Sequence, residues 1–315
     1  MMNIKDQLRN ALDSISLPGI GKHYRGKVRD NFILENEIIM VTTDRVSAFD
    51  KVLGTIPFKG QILTQIAKFW FDKTKDIVPN HILSYPDQQV LVARKAKTLP
   101  VEIIVRGYIT GSLWREYSKG INGQYGFNIP NGMKKNQCFD KPIVTPTTKA
   151  EYGLHDEAIS REKIVNGLVE EAIYDKAVEY SLALFQNGQD WARQRGLILV
   201  DTKYEFGIAN NELILVDEVH TPDSSRFWIA DEYEERFSSG TEQKMLDKEN
   251  IRQWLLDRGF SGDGEPPQLT EDIRISLAEQ YIELFKLITG SDFNAQIGPV
   301  SERILFNLKK TGYLG

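Results

Sequence analysis

The sequence Leu197-Ile-Leu-Val-Asp-Thr-Lys-Tyr-Glu-Phe-Gly207 is followed, after a short polar segment, by Leu213-Ile-Leu-Val-Asp-Glu218. Both runs are apolar and rich in branched side chains, which predicts two antiparallel strands joined by a turn. Because side chains alternate between the two faces of a strand, Asp201, Lys203 and Glu205 are expected to share one face. The hairpin therefore brings three ionisable side chains to one surface of a sheet.

The same hairpin is a candidate metal site. We expect Asp217 to lie opposite Lys203 and diagonal to Glu205, and diagonal side chains about 7–8 Å apart can converge on one ion. Magnesium takes few carboxylates together with phosphate oxygens and water, which Glu205 and Asp217 would satisfy. A solvated outer face is the alternative, but it explains less well why the charges cluster where two apolar strands end. The residues alone favour the metal site.

A glycine-bearing segment, Arg25-Gly-Lys-Val-Arg-Asp30, is a candidate phosphate site. The window 21–28 almost matches the P-loop pattern, but Val28 has no hydroxyl group and a strand is predicted where a P-loop needs a helix. A glycine turn between two strands can instead cover nucleotide phosphates, with Lys27 and Arg29 supplying charge from one face. A basic surface hairpin is the alternative, and this segment alone slightly favours it.

Two further segments are candidate anion sites. Thr221-Pro-Asp-Ser-Ser-Arg-Phe-Trp228 follows the acidic strand directly, and its Arg226 suits a bidentate contact with phosphate. In the second segment, Arg106 ends a strand and Ser112 begins a helix after a glycine turn. Turn chemistry with a capping serine is the more frequent explanation for either segment alone.

Two weaker candidates are polar stretches of the chain. Residues 42–50, TTDRVSAFD, either touch a substrate or form a capped turn with a surface ion pair between Asp44 and Arg45. Residues 145–156 contain Lys149 and His155, and a lone histidine beside an aspartate is usually structural. Neither stretch indicates catalysis by itself.

The 315 residues suffice for two domains at roughly 150 residues each. A glycine- and lysine-rich loop is expected over 118–156, and the segment 95–100 is expected to be a hinge. The remaining pattern predicts a hairpin of 27–34 and 37–42, strands at 52–58, 90–94 and 101–106, and helices over 60–75, 160–195 (broken near 166–167), 241–258, 270–288 and 299–311.

Composition excludes several classes of protein. The net charge is −5 with 26% charged residues. The sequence therefore lacks the excess of basic residues that would indicate nucleic acid or an anionic membrane surface as a partner. The apolar runs are too short for a membrane span, and the first residues lack the apolar stretch of a signal peptide. The single cysteine, Cys138, and four histidines without zinc spacing argue against disulfides and zinc chemistry. We expect a cytoplasmic enzyme.

Together, these segments resemble the phosphoribosylaminoimidazole-succinocarboxamide synthase family, the SAICAR synthetases of purine biosynthesis. The insert within residues 145–157 looks like that of the longer form of the family, which is also found in yeast. The matching segments, in the order of the family, are RGKVRD (25–30), TTDRVSAFD (42–50), VEIIVRGYITGSLW (101–114), TPTTKAEYGLHDE (145–157), GLILVDTKYEFG (196–207) and VDEVHTPDSSRFW (216–228).

The resemblance implies an α+β fold with a nucleotide cleft between two lobes. The smaller, antiparallel β lobe would span residues 1–98, and a larger mixed α/β lobe would span residues 99–315. It also implies a ligase that uses ATP and Mg²⁺ to join L-aspartate to the carboxylate of 5-amino-1-(5-phosphoribosyl)imidazole-4-carboxylate (CAIR). The reaction would pass through an acyl phosphate and give SAICAR, ADP and phosphate.

The resemblance further implies a role for each matching residue. Lys203 and Asp201 would be catalytic, and Glu205 and Asp217 would bind the metal. The nucleotide would be bound by Gly26, Lys27, Val28, Arg29, Lys95 and Glu102. The substrates would be bound by Asp50, Arg106, Ser112, Lys149, Asp223, Ser225 and Arg226.

Two other functions are alternatives to the ligase. A kinase-like phosphotransferase would need HRD and DFG motifs, which the sequence lacks. A non-catalytic ATP sensor would have no use for the metal pair Glu205 and Asp217. The sequence leaves the oligomeric state open between a monomer and a homodimer.

Overall fold

The computed structural model describes residues 4–48, 51–149, 156–245, 249–262 and 264–314. The chain divides into two compact units, of which unit 1 comprises residues 1–71, 81–95 and 246–315, and unit 2 comprises residues 72–80 and 96–245. The boundary after Lys95 lies close to the boundary at residue 98 that we expected. Residues 246–315 group with the N-terminal unit, whereas the expected larger lobe included them.

The described residues form antiparallel strands and α-helices. The strands are β1 Lys22–Arg25, β2 Arg29–Ile33, β3 Glu37–Thr42, β4 Arg45–Ala48, β5 Lys51–Thr55, β6 Ile82–Asp87, β7 Val90–Arg94, β8 Lys97–Thr98, β9 Val101–Tyr108, β10 Cys138–Val144, β11 Thr147–Thr148, β12 Leu197–Ala209, β13 Glu212–Val216 and β14 Ser225–Ile229. The helices are α1 Ile4–Gln7, α2 Lys59–Thr74, α3 Gly111–Tyr117, α4 Arg161–Val165, α5 Glu171–Arg193, α6 Tyr233–Ser239, α7 Glu249–Leu256, α8 Glu271–Thr289 and α9 Val300–Lys310.

Unit 1 is built on a five-stranded sheet in the order β1-β2-β3-β7-β6. Alternate residues of β2 and β3 point into the core, as the period of two predicts, and the expected hairpin between them is confirmed. Helix α9 adds apolar residues at a spacing of four, which places them on one face. The buried core contains Leu12, Ile15, Leu17, Phe32, Ile39, Val41, Val90, Val92, Val300, Ile304 and Leu308.

Unit 2 is organised around the long strand β12. This strand pairs with β9, β13, β14 and β8, and the main path of the sheet runs β10-β9-β12-β13. Helix α5 packs on β12 and β9 through residues that recur every three or four positions. These buried residues are Tyr174, Ala177, Ser181, Leu184, Phe185, Gly188 and Ala192. The predicted break between the two helices at 166–167 is confirmed, because α4 ends at Val165 and α5 begins at Glu171.

The segment expected to be one long loop, residues 118–156, is in part a sheet. Strands β10 and β11 both lie within it and pair with β9. Tyr125, Ile129 and Phe139 from this segment pack with Ile109 and Leu113. The sequence concealed the strands because β10 contains a proline and alternates poorly between buried and exposed residues.

The turn between β12 and β13 has two residues, Asn210 and Asn211, with φ angles of 52° and 61°. Two successive left-handed residues are typical of the tightest hairpin turns, and asparagine tolerates that conformation. The turn pairs Ala209 with Glu212 and so fixes the register of the whole hairpin. None of the helices in the described part of the chain is long and apolar enough to cross a membrane.

Candidate active site

Strand β12 holds a carboxylate between two arginines. Asp201 lies directly opposite Arg106 of β9 on one side and Arg226 of β14 on the other. Arg106 Nη1 is 3.0 Å from Asp201 Oδ2, and Arg226 Nη1 donates to the same oxygen atom. Two guanidinium groups share one carboxylate, so these three side chains carry one net positive charge. The cluster is therefore suited to an anionic ligand.

Neighbouring residues orient both arginines. Arg106 Nε donates to Thr145 Oγ1 at 2.8 Å, and its Nη2 lies 3.4 Å from Ser112 Oγ. Gly111 has a φ of 58°, and a Cβ atom there would lie 2.6 Å from Arg226 Nη2. A glycine at this turn therefore leaves the space that the Arg226 guanidinium occupies.

The two arginines differ in exposure. The side chain of Arg106 is 5% exposed and that of Arg226 is 20% exposed, so Arg226 is the one that a ligand reaches more readily. Sequence reasoning found Arg106, Ser112 and Arg226. It missed Thr145, which joins the site only through the pairing of β10 with β9.

A second cluster surrounds Lys203. Its Nζ donates to Glu102 Oε1 at 2.6 Å and to Glu205 Oε1 at 2.7 Å, and Lys149 Nζ donates to Glu205 Oε2. Two ammonium groups face two carboxylates, so the charges of this cluster balance. The structure thus brings together four residues that the sequence predicted in four separate roles: catalysis, metal binding, nucleotide binding and substrate binding.

The pKa values in this cluster follow from burial and pairing. Burial alone would lower the pKa of Lys203, but Glu205 and Glu102 outweigh it and raise that pKa above its ordinary value. Burial would raise the pKa of Glu205, but Lys203 and Lys149 bring it down to about 2. For Glu102 burial prevails over the attraction of Lys203, and its pKa is raised. Lys203 is therefore an ammonium group at neutral pH and cannot serve as a base.

The expected position of Asp217 opposite Lys203 is wrong. The ladder between β12 and β13 ends with Glu205 opposite Val216, one residue away from the predicted register, because the turn has only two residues. Asp217 follows with a φ of 70°, half-buried and outside the ladder. The strand pairing that we expected to place its carboxylate beside Glu205 is therefore absent at Asp217.

The carboxylates nevertheless fit magnesium by their chemistry. Glu205 is ionised and offers oxygen atoms, which are the donors that Mg²⁺ prefers. Among the described residues, no group of three or more His, Cys, Asp or Glu side chains is arranged to hold a metal ion. A magnesium site here would need oxygen atoms from a substrate or from water in addition to Glu205 and Asp217.

The segment after Asp217 is anchored to β12. Ser225 Oγ donates to Thr202 Oγ1 at 2.7 Å, and the backbone N–H group of Asp223 donates to Thr221 Oγ1 at 3.3 Å. His220 Nε2 and the Tyr204 hydroxyl group form a hydrogen bond of 2.5 Å in the interior. Sequence reasoning missed this buried pair, because a histidine in a polar segment carries no signal of burial.

His220 fits only because its neighbour in helix α5 is a glycine. A Cβ atom at Gly188 would lie 2.5 Å from His220 Cε1. Burial lowers the pKa of His220 to about 3. The imidazole is therefore neutral, and it acts as a structural anchor for the residues between Asp217 and Ser225.

In unit 1, the predicted phosphate-binding residues lie at the loop between β1 and β2. Gly26, Lys27 and Val28 form this loop, and Arg29 begins β2. Lys95 is the last residue of the second chain segment of unit 1, residues 81–95. Its Nζ is 3.4 Å from the carbonyl oxygen of Glu35. The predicted substrate residue Asp50 lies outside the described residues.

Of the two alternatives for residues 42–50, the surface ion pair between Asp44 and Arg45 is wrong, because both residues are buried. Asp44 accepts hydrogen bonds from the backbone N–H groups of Leu12 at 2.7 Å and Gly60 at 2.8 Å. Arg45 Nη2 instead lies 2.9 Å from Asp30 Oδ1. Residues 42–46 of this motif are buried in unit 1.

Comparison with known proteins identifies the class. The SAICAR synthetase family model matches residues 22–268. The chain is 46% identical to phosphoribosylaminoimidazole-succinocarboxamide synthase of Legionella pneumophila (strain Paris) over 308 residues, covering 95% of this chain and 98% of that protein. It is 50% identical to the synthase of the same name from Bacteroides thetaiotaomicron over 299 residues, covering 93% and 95%.

Solved structures agree with these relatives. The Saccharomyces cerevisiae SAICAR synthase complexed with SAICAR has a TM-score of 0.79 and 35% identity, covering 90% of this chain and all of that one. A type-2 SAICAR synthetase in complex with ADP has a TM-score of 0.66 and 26% identity, covering 87% of this chain and 100% of that chain. The α+β fold and the similarity to the longer, yeast-like form are confirmed.

The chain is thus a ligase of purine biosynthesis. It belongs to the SAICAR synthetase family, and its activity is that of a SAICAR synthase.

The buried imidazole predicts a pH-dependent stability. The folded-state pKa of His220 is about 3 against 6.5 for an exposed histidine, so the unfolded chain binds more protons between these values and the free energy of unfolding falls as the pH falls. Relative to His220→Gln, the wild type should lose about 1.4 kcal/mol per pH unit below 6.5. Urea denaturation of both proteins at pH 8.0, 6.5 and 5.5 measures this. A difference between the two proteins that stays constant with pH would contradict the buried, neutral state.

Proposed function

We propose that this chain joins L-aspartate to CAIR at the expense of ATP. The γ-phosphoryl group of ATP passes to an oxygen of the CAIR carboxylate, which gives an acyl phosphate and ADP. The amine of aspartate then attacks the carbonyl carbon, the bond from carbon to the phosphate oxygen breaks, and the nitrogen loses a proton as the amide forms. Activation is needed because an unmodified carboxylate has no adequate leaving group.

The observation that carries this proposal is the pair of charge clusters on one face of β12. The Arg106 and Arg226 guanidinium groups share Asp201 and so retain net positive charge for an anion. Two positions along the same strand, Lys203 offers a permanently charged ammonium group. CAIR already carries a phosphate, and its carboxylate must be phosphorylated in the reaction. Such a substrate needs the positively charged guanidinium groups for binding and an ammonium group to stabilise the charge of the transferred phosphoryl group.

The arginine cluster would bind CAIR. Arg106, Arg226 and Ser112 would contact its phosphate or carboxylate, since guanidinium groups form bidentate contacts with either. Asp201 would act as a positioning residue, because its carboxylate fixes both guanidinium groups. Further substrate contacts would come from Asp50, Lys149, Asp223 and Ser225.

The nucleotide would be bound mainly by residues of unit 1. Gly26, Lys27, Val28 and Arg29 would cover the phosphates, with Lys95 and Glu102 towards the adenosine end. The ADP complex of a relative with 26% identity supports a nucleotide as ligand. Lys203 would stabilise the charge that develops on the transferred phosphoryl group, since burial between two carboxylates keeps it protonated.

Glu205 and Asp217 would hold Mg²⁺. When bound, the ion would neutralise phosphate charge and align the reacting oxygens. Glu205 suits this role because it stays ionised far below neutral pH.

A phosphate-release assay tests the function. We expect release of phosphate from ATP only when CAIR and L-aspartate are both present, together with formation of SAICAR. A kinase-like phosphotransferase would consume ATP without aspartate, and an ATP sensor would release no phosphate. Either result would refute the proposed ligation.

The arginine cluster predicts a specific binding defect. Arg226→Met removes the more exposed guanidinium group and should raise the KM for CAIR by about 10- to 100-fold, the loss expected for charged hydrogen bonds. The KM for ATP should change little. Arg236→Met is the matched control, because Arg236 of helix α6 binds Glu232, the residue that precedes this helix. Steady-state kinetics with each substrate varied in turn measure the effect, and an equal rise for both variants would contradict the assignment.

The metal pair predicts a loss of turnover without a loss of fold. Asp217→Asn replaces a carboxylate by a neutral amide, which binds a hard cation less well, so most of the turnover should be lost. Asp231→Asn serves as the control, because Asp231 is an exposed aspartate. Rates at increasing magnesium concentrations, with circular dichroism to verify folding, measure the effect. Near-normal activity of Asp217→Asn at saturating magnesium would exclude this residue as a ligand.

A further inference from the structure

The loop formed by Gly26, Lys27 and Val28 has little support from its own hairpin. Strand β1 lies at the edge of the sheet, and all four of its residues are exposed. Within the hairpin, the N–H group of Gly26 donates to the carbonyl oxygen of Arg29 at 2.8 Å. The backbone groups of a loop beside an exposed edge strand ordinarily form hydrogen bonds to water, and such a loop is mobile.

Here the loop is instead held from the interior by Arg45. The Arg45 side chain is fully buried, and its Nη2 donates to the carbonyl oxygen of Gly26 at 3.0 Å while its Nε donates to that of Lys27 at 3.0 Å. The same guanidinium group binds Asp30 Oδ1 at 2.9 Å and the carbonyl oxygen of Asp13. One side chain thus ties the loop to the strand β2 and to the N-terminal segment.

Thr43 secures the next carbonyl group of the loop. Its backbone N–H group and its Oγ1 both donate to the carbonyl oxygen of Val28, at 3.0 Å and 2.8 Å. Three successive loop carbonyls are therefore bound by Thr43, which follows β3, and by Arg45, which begins β4. Burying a guanidinium group is costly unless its hydrogen bonds are made, and here two of them are made to the loop.

We propose that Arg45 is a positioning residue for the nucleotide site, which fixes the Gly26–Val28 loop in its binding conformation before the ligand arrives. This inference rests on the proposed function, in which the loop covers the ATP phosphates. A loop that is already ordered loses less conformational entropy on binding, so its affinity for a given ligand is higher. Thr43 acts in the same way, with a smaller share of the contacts.

Two variants separate this role from a general contribution to stability. Arg45→Lys keeps a positive charge beside Asp30 but lacks the planar fork that reaches the two loop carbonyls. Thr43→Val removes one hydrogen bond to Val28 at nearly constant volume. Arg303→Lys is the matched control, because Arg303 is a second, mostly buried arginine of unit 1 that binds Asp87 at 3.0 Å and has no described contact with the loop.

The experiment measures two properties of the full-length proteins. Hydrogen exchange of the peptide covering residues 26–29, without ligand, reports on loop order, and calorimetry with Mg-ADP reports on nucleotide affinity. We expect Arg45→Lys to accelerate exchange at least about tenfold and to weaken ADP binding by about 10- to 100-fold. Thr43→Val should show smaller changes in the same direction. The KM for CAIR should be unchanged, and Arg303→Lys should show neither effect.

Each contrary outcome has a distinct meaning. Unchanged exchange in Arg45→Lys would overturn the positioning role itself. Faster exchange with unchanged ADP affinity would overturn the inference that the loop serves the nucleotide. Equal weakening of ADP binding by Arg303→Lys would reduce Arg45 to a stabilising residue. Failure of the wild type to bind ADP would refute the proposed function, while the exchange data would still report whether Arg45 orders the loop.

Discussion

The site depends on the requirement that a buried charge must meet an opposite charge. Strand β12 directs Asp201, Lys203 and Glu205 to one face, and a neighbouring strand or loop supplies each of them with a side chain of opposite charge. Removing one partner of such a pair typically costs about 3–5 kcal/mol, since the other charge is left buried alone. The ion pairs that stabilise the buried charges of β12 therefore also hold these side chains in fixed positions.

Unit 1 meets the same requirement in a different way. Asp44 accepts hydrogen bonds from two backbone N–H groups, and burial raises its pKa to about 6. Asp30 instead pairs with Arg45, whose remaining donors are used by carbonyl groups. A loop offers many backbone groups as hydrogen-bond partners for a buried charged side chain. The same hydrogen bonds that stabilise the buried charge also order the adjacent loop.

The sequence predicted the local structure of the site better than its long-range contacts. The alternation of side chains correctly placed Asp201, Lys203 and Glu205 together, and the hairpin was evident from two apolar runs. The register was missed by one residue because two asparagines make a turn shorter than the polar segment suggested. Neither alternative for residues 42–50 placed Arg45 in the core, since a charged residue in a polar motif carries no sign that Asp30 will pair with it there. The family, and with it the activity, came from several motifs combined.

The two clusters on β12 share a design that explains how rigid groups can still reach a ligand. In the arginine cluster, the side chain of Arg106 is 5% exposed and that of Arg226 is 20% exposed. In the lysine cluster, the side chain of Glu102 is 8% exposed and that of Lys203 is 31% exposed. Each cluster therefore pairs a nearly buried group with a more accessible cation. In the proposed function, the buried partner would fix the geometry and the exposed one would make the contact. Because the arginine cluster retains net positive charge and the lysine cluster does not, the first would hold a bound anion. The second would act on the charge that develops during phosphoryl transfer, which is the distinction between binding a substrate and stabilising a transition state.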